Sequence, residues 1–236
     1  MNCTSYDECV EQYNQAILSL WKLEFDNAIK STENTNVKFK QFCLHVNQVE
    51  SPIWFFGMNP SLPKPTNDFI SQTSYINDNL IVELKNEQVR MHENHPYFEA
   101  AIKFFKKDVG IQELEIPVFH DLYPVRHTKQ KEFVQFIKHK ENKEFREKLD
   151  EATKELIDGI MPDIIVIANA KASKLMQKIF FGRNEYNGET KLTYELDGKK
   201  TDMIFSSMLS GQRALDTYSR SRLAREISET WKDRNN

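Results

Sequence analysis

Two stretches of this chain are apolar without interruption: Ile53-Trp54-Phe55-Phe56 and Ile164-Ile165-Val166-Ile167-Ala168. A strand with one face in water alternates polar and apolar side chains, whereas a strand covered on both faces does not. Both runs are short, rich in β-branched or aromatic residues, and bounded by polar positions, which favours strand over helix. Such strands need helices above and below them. The expected fold is therefore α/β, a three-layer α/β/α sandwich around a central, mostly parallel sheet of four to five strands.

The rest of the chain supplies the layers. Ser5-Tyr6-Asp7-Glu8 has the form of a capping box, and Val10, Tyr13, Ile17, Leu20, Trp21 and Ile29 recur near helical spacing, predicting a helix from about Tyr6 to Lys30. A strand is expected over Val37–Val46. A long loop with a short helix is expected over 60–95, and a helix from 95 that ends near Gly110. Ile116 to Leu122 reads as a strand, 141–159 as a charged helix with Phe145, Leu149, Ala152 and Leu156 on one stripe, and Ala170 to Phe180 as a helix. Asn187-Gly188 and Asp197-Gly198 are hairpin-turn signals around KLTYEL, which is expected to pair with TDMIFSSML. A last helix starts near Asp216 or Ser219. One domain over 1–236 is expected, with 1–35 a helical extension packed on it.

Charge limits the partners. The net charge is −3 and the sequence pI about 6.1, which excludes a uniformly basic surface and leaves nucleic-acid binding to a local patch. The three cysteines, Cys3, Cys9 and Cys43, are odd in number and form no C-x-x-C pair. Neither a disulfide framework nor a metal cage is expected, the three are read as inert, and a reducing, cytoplasmic setting fits. MNCTSYDECVEQ is polar and acidic, unlike a signal peptide, and no apolar run approaches the ~20 residues of a membrane span.

Ligands of a parallel α/β sheet sit beyond the carboxyl ends of its strands. Four polar exits qualify: Gly57-Met58-Asn59-Pro60-Ser61, Asp121 to His127, Asn169 to Ser173, and Ser206 to Arg213. GMNPS after a buried aromatic strand resembles the first motif of the uracil-DNA glycosylase superfamily, closest to its branches with a G-[IM]-N-P motif. FSSMLSGQRALDTYSR falls where that family keeps a His-Pro-Ser or Asn-Pro-Ser loop, and DIIVIANAKAS resembles the strand and turn between the two motifs. The resemblance runs from about residue 50 to 232.

It implies hydrolysis of the N-glycosidic bond of uracil or a modified base flipped out of DNA. Asn59 would position the water, since an amide oxygen accepts from water but is too weak a base to deprotonate it. Gly57 would let the backbone approach the base, the Met58 N–H would hold a base carbonyl, and Phe69, with Tyr75 as rival, would stack on it. Asp121 stands where the family tends to place an Asn that reads the pyrimidine edge. An ionised Asp only accepts, which suits a base offering amino groups. The His-Pro-Ser loop is replaced by Ser210-Gly211-Gln212-Arg213, which with Ser61 would bind phosphates at a helix N-terminus. Single- or double-stranded DNA or a nucleotide is the implied partner, with no metal, no cofactor and no membrane. The alternative is a catalytically altered nucleic-acid- or nucleotide-binding protein; action on free nucleosides is a third reading.

Plainer readings stand beside these. Asn59 can cap a turn, Asp121 can cap or pair with a cation, Phe69 can anchor a loop, and Arg213 can pair with Asp216. Arg220, Arg222 and Arg225 read either as a solvated helix face or as a DNA track, and His95, His120 and His127 as surface or satisfied histidines.

Overall fold

The computed structural model describes residues 3–20, 44–45, 50–59, 82, 96–114, 116–125, 130–183, 188–209 and 214–235. They form helix α1 (Tyr6–Leu20), strand β1 (Ile53–Gly57), helix α2 (Pro96–Phe104) running into a π turn (Phe105–Val109), and β2 (Val118–Asp121). Then come α3 (Gln130–Lys138), a 3-10 turn (Lys140–Asn142), α4 (Lys143–Ile160), β3 (Ile164–Ala168), α5 (Ala170–Phe181), the hairpin β4 (Lys191–Leu196) and β5 (Lys199–Ser206), and α6 (Thr217–Asn235). The chain divides into two compact units, Met1–Val46 with Met58–Val89 and Asp121–Gly159, and Asn47–Gly57 with Arg90–His120 and Ile160–Asn236.

The second unit carries the sheet, in the order β2-β1-β3-β5-β4. β1 and β3 run parallel with Ile53 opposite Ile164 and Phe55 opposite Val166, and β3 and β5 run parallel with Val166 opposite Ile204. Every residue of β1 and β3 is buried, as their unbroken apolar runs require. β4 is the antiparallel edge, and its burial alternates between exposed and intermediate, the pattern of a strand with one wet face. Its turn fulfils the sequence signal: Asp197 has φ 51° and Gly198 φ 77°, the two left-handed conformations of a type I′ turn.

Helices cover both faces. On one, Ile53, Phe55, Ile164, Val166 and Ile204 pack with Phe98, Phe104 and Phe105 from α2 and the π turn and with Leu223, Ala224 and Ile227 from α6. Phe55 meets the rings of Phe104 and Phe105 edge-on, at 6.3 and 6.4 Å. Truncating Phe55 to Ala would cost on the order of 3–5 kcal/mol. The other face carries Trp54, Phe56 and Ile165. His120 is buried there against Trp54 and Phe56, at 6.0 and 5.0 Å, so it is not a surface residue. Tyr194, opposite Thr201 in the hairpin, shares that face with Met203 and packs on Phe180 of α5 at 5.0 Å. The three layers expected from the two apolar runs are thus present. Arg234 closes this unit, donating to Asp202 at 2.8 Å and Asp163 at 3.2 Å from the last turn of α6, where a cation also suits the helix dipole.

In the first unit the capping box forms with a shift of one residue. The Glu8 amide donates to Ser5 Oγ at 3.3 Å, while the Glu8 carboxylate takes both the amide and the hydroxyl of Thr4, at 2.7 and 2.8 Å. Those bonds hold the Glu8 carboxyl below its usual range. α1 is described through Leu20; Trp21 and Ile29 lie outside the described residues, as does the expected strand over Val37–Val46 apart from Leu44 and His45, which carry no strand. The Asn14 amide exchanges two hydrogen bonds with the His45 backbone, at 2.7 and 2.8 Å.

The cysteine expectation is corrected here. Cys3 and Cys9 form a disulfide, Cα atoms 5.2 Å apart, across the first turn of α1. Close in sequence, the two sulfurs meet because Cys3 precedes the helix and the chain folds back over its first turn. Gly159 lies against them: a Cβ there would sit 2.6 Å from Cys3 Sγ and 2.9 Å from Cys9 Sγ, so only glycine fits.

Candidate functional site

β1 ends at Gly57, which is buried; Met58 follows, buried, and then Asn59, half-buried. The exit of β2 runs beside them. The Tyr123 amide donates to the Met58 carbonyl at 3.1 Å, and the Asn59 Nδ2 donates to the Val125 carbonyl at 3.4 Å. Residues 58–59 and 123–125, far apart in sequence, therefore form one frame, with Asp121 half-buried at its near end.

That frame is braced from below by α4. Thr153 Oγ1 donates to the Leu122 carbonyl at 3.0 Å, and the Tyr123 hydroxyl donates to Asp150 at 2.8 Å. Tyr123 is fully buried. Burial first, and then the negative charge of Asp150, push its phenol well above the ordinary value of 10.0, so the hydroxyl stays a donor throughout the physiological range. Chemically, the bond from Nδ2 fixes the plane of the Asn59 amide, and an amide of fixed plane presents its carbonyl oxygen in a defined direction.

Of the residues singled out in the sequence, the structure joins Met58 and Asn59 to the exit that follows Asp121, and sets Gly57 at the end of β1. Ser61, Phe69, Tyr75, Ser210, Gly211, Gln212 and Arg213 lie outside the described residues, as do His95 and His127. Asp216 is described, and it caps α6, accepting from the Ser219 amide at 2.7 Å. The arginine cluster divides: Arg220 pairs with Asp108 at 2.6 Å and lies over the Phe104 ring, and Arg225 reaches Glu229 at 3.9 Å, whereas Arg222 makes no ion pair among the described residues. Tyr123, Asp150 and Thr153 were not legible as site supports. Thr153 sits beside the apolar stripe of α4, the one local hint that its hydroxyl is buried.

Among the described residues no group of three or more His, Cys, Asp or Glu is placed to hold a metal, and no helix is long and apolar enough to cross a membrane. Compared with known proteins, the chain matches no family model and no curated sequence.

Proposed function

We propose that this chain is a uracil-DNA glycosylase-like hydrolase that removes uracil or a modified base from single- or double-stranded DNA. The observation that carries the reading is Asn59, placed two residues beyond a buried parallel strand and tied by its Nδ2 to the neighbouring exit at Val125. In the reaction the flipped base leaves C1′ with the glycosidic electron pair as the sugar gains oxocarbenium character. Water held by the Asn59 carbonyl adds to C1′, and its proton passes to the departing base or to solvent. Asn59 supplies position and not basicity. Asp121 accepts from an amino group on the base, and Met58 offers its backbone N–H. Neither metal nor cofactor takes part.

A cytoplasmic setting goes with this reading, although the Cys3–Cys9 bond is of a kind that persists in oxidising compartments. The test is abasic-site formation on oligonucleotides carrying uracil and a panel of modified bases. Product with the wild type and little with Asn59→Ala is expected. Full activity in that variant removes Asn59 from the chemistry. No product on any substrate, with salt-sensitive binding, replaces the enzyme by a nucleic-acid-binding protein on the same fold.

A further inference from the structure

The second unit holds a cavity of about 300 Å3 at the carboxyl ends of β3 and β5, reached from the starts of α5 and α6. Such a place, outside the ends of adjacent parallel strands and beside a helix N-terminus, favours anions. Its lining is mixed, with serines beside Phe205, Leu215 and Leu223. Ser173 forms the floor, buried, its hydroxyl donating to the Ser206 carbonyl at 3.2 Å. Ser206 and Ser207 bring two more hydroxyls, and Leu215 closes the rim, its amide bonded to the Met208 carbonyl at 2.9 Å.

Two cations line this cavity, Lys174 from α5 and Arg222 from α6. Neither has an ion pair or a side-chain hydrogen bond among the described residues. Along the same helix Arg220, Arg225 and Arg234 all have carboxylate partners. Asp216 is close enough to Arg222 to feel its charge but is occupied as the cap of α6. One carboxylate also lines the cavity, Glu226, which accepts from the Thr190 hydroxyl at 3.0 Å. A carboxylate beside hydroxyls suits a sugar diol, whose two O–H groups donate to it. Four residues before Arg222 stands Tyr218, 79% exposed, one of only two large exposed apolar side chains among the described residues. Residues four apart share a helix face, which sets Tyr218 on the same side of α6 as Arg222.

We infer that this cavity binds the phosphate monoester of a nucleotide, with Lys174 and Arg222 on the phosphate, Glu226 on the sugar hydroxyls and Tyr218 stacked on the base. Charge selects the monoester over a diester. A monoester carries about −1.5 to −2 at neutral pH, against one charge on an internal backbone phosphate. Lys174 and Arg222, without an ion pair among the described residues, match the former's two charges, while Glu226 is taken up by the sugar hydroxyls. The phosphate comes either from a free nucleoside monophosphate or from the phosphorylated end of a strand. The assignment is independent of base release at Asn59.

Calorimetric titration of the full chain separates these sources. The probes are AMP, adenosine, inorganic phosphate, and one short oligonucleotide with and without a 5′-phosphate. AMP is expected to bind at least tenfold more tightly than adenosine. Lys174→Ala with Arg222→Ala should weaken AMP and the 5′-phosphorylated strand at least tenfold, with unchanged circular dichroism since both side chains are exposed. Tyr218→Ala should weaken AMP severalfold and leave inorganic phosphate unaffected. A 5′-phosphorylated strand that outcompetes AMP identifies a strand end; AMP binding alone identifies a free nucleotide. Equal affinity for AMP and adenosine, no binding of any phosphorylated probe, or affinities unmoved by the double variant overturns the assignment. Asn59→Ala should bind AMP as the wild type does, so a failure of the glycosylase reading is seen separately.

Discussion

Asn59 and Asn169 both follow a strand buried on both faces, yet their amides are put to different use. The Asn169 side-chain oxygen accepts from the amides of Lys171 and Ala172, at 2.9 and 3.2 Å, and so caps α5. Its residue is extended, at φ −161° and ψ 121°, as an N-cap must be. Asn59 donates instead, through Nδ2, to a carbonyl 66 residues away. One asparagine satisfies the helix it starts; the other links two strand exits. A motif that reads only as buried strand, then Asn, does not separate the two.

Substitutions can break or sharpen that contrast. The largest effect is expected for Asn59→Ala, a fall of about 100-fold or more in base release measured in single turnover, the size of a lost positioning group. Loss of the 3.4 Å bond to Val125 should lower its stability in urea by about 1 kcal/mol. If stability falls more than in Asn169→Ala and base release is unchanged, Asn59 is a brace and the contrast collapses.

Tyr123→Phe probes the frame that holds Asn59. Removing the donor to Asp150 should cost about 1–2 kcal/mol. It also has a pH signature. The folded protein favours the neutral phenol, so the Tyr123 contribution is fully present below pH 10 and is lost as pH rises through the raised folded value. Urea unfolding from pH 8 upward should show that alkaline loss in the wild type and its absence in the variant; parallel curves would remove Tyr123 as the titrating brace.

Asn169→Ala should lose about 1 kcal/mol through α5, with Asn169→Asp close to the wild type since it keeps an acceptor for the same amides. Loss of base release in either variant would place Asn169 in the chemistry as well.

The smallest effect belongs to Asp216, a cap that carries charge. The Ser219 amide holds its carboxyl below the usual value. Its contribution is present above the unfolded value of 3.8 and is lost as pH falls through the lowered folded one. Asp216→Asn should remove that acid dependence, read as the slope of stability against pH below 5, whereas the Asn169 cap should show none.

Much of the fold is legible because its signals are local. The unbroken runs at Ile53–Phe56 and Ile164–Ala168 announce doubly buried strands, Asp197-Gly198 announces its turn, and Gly110, at φ 68°, ends the α2–π segment as expected. Less of the candidate site is legible. GMNPS locates Asn59, but Val125, Tyr123, Asp150 and Thr153 come from segments whose pairing no local rule fixes. The arginines of α6 make the same point. Arg220, Arg222 and Arg225 look alike in sequence, and only packing against the π turn gives Arg220 its partner Asp108, 112 residues away. The Cys3–Cys9 bond is not legible, because cysteine count and spacing do not encode how the chain folds back on a helix start.

The sequence by itself determined the layers, the buried strands, the hairpin and the capped helices, since periodicity, turn chemistry and capping act within a few residues. The tertiary structure alone decided which exit Asn59 leans on, which arginines of α6 find a carboxylate among the described residues, and which hydroxyls line a cavity. Those outcomes depend on contacts between residues tens of positions apart, whose geometry follows from strand order and register and not from local pattern.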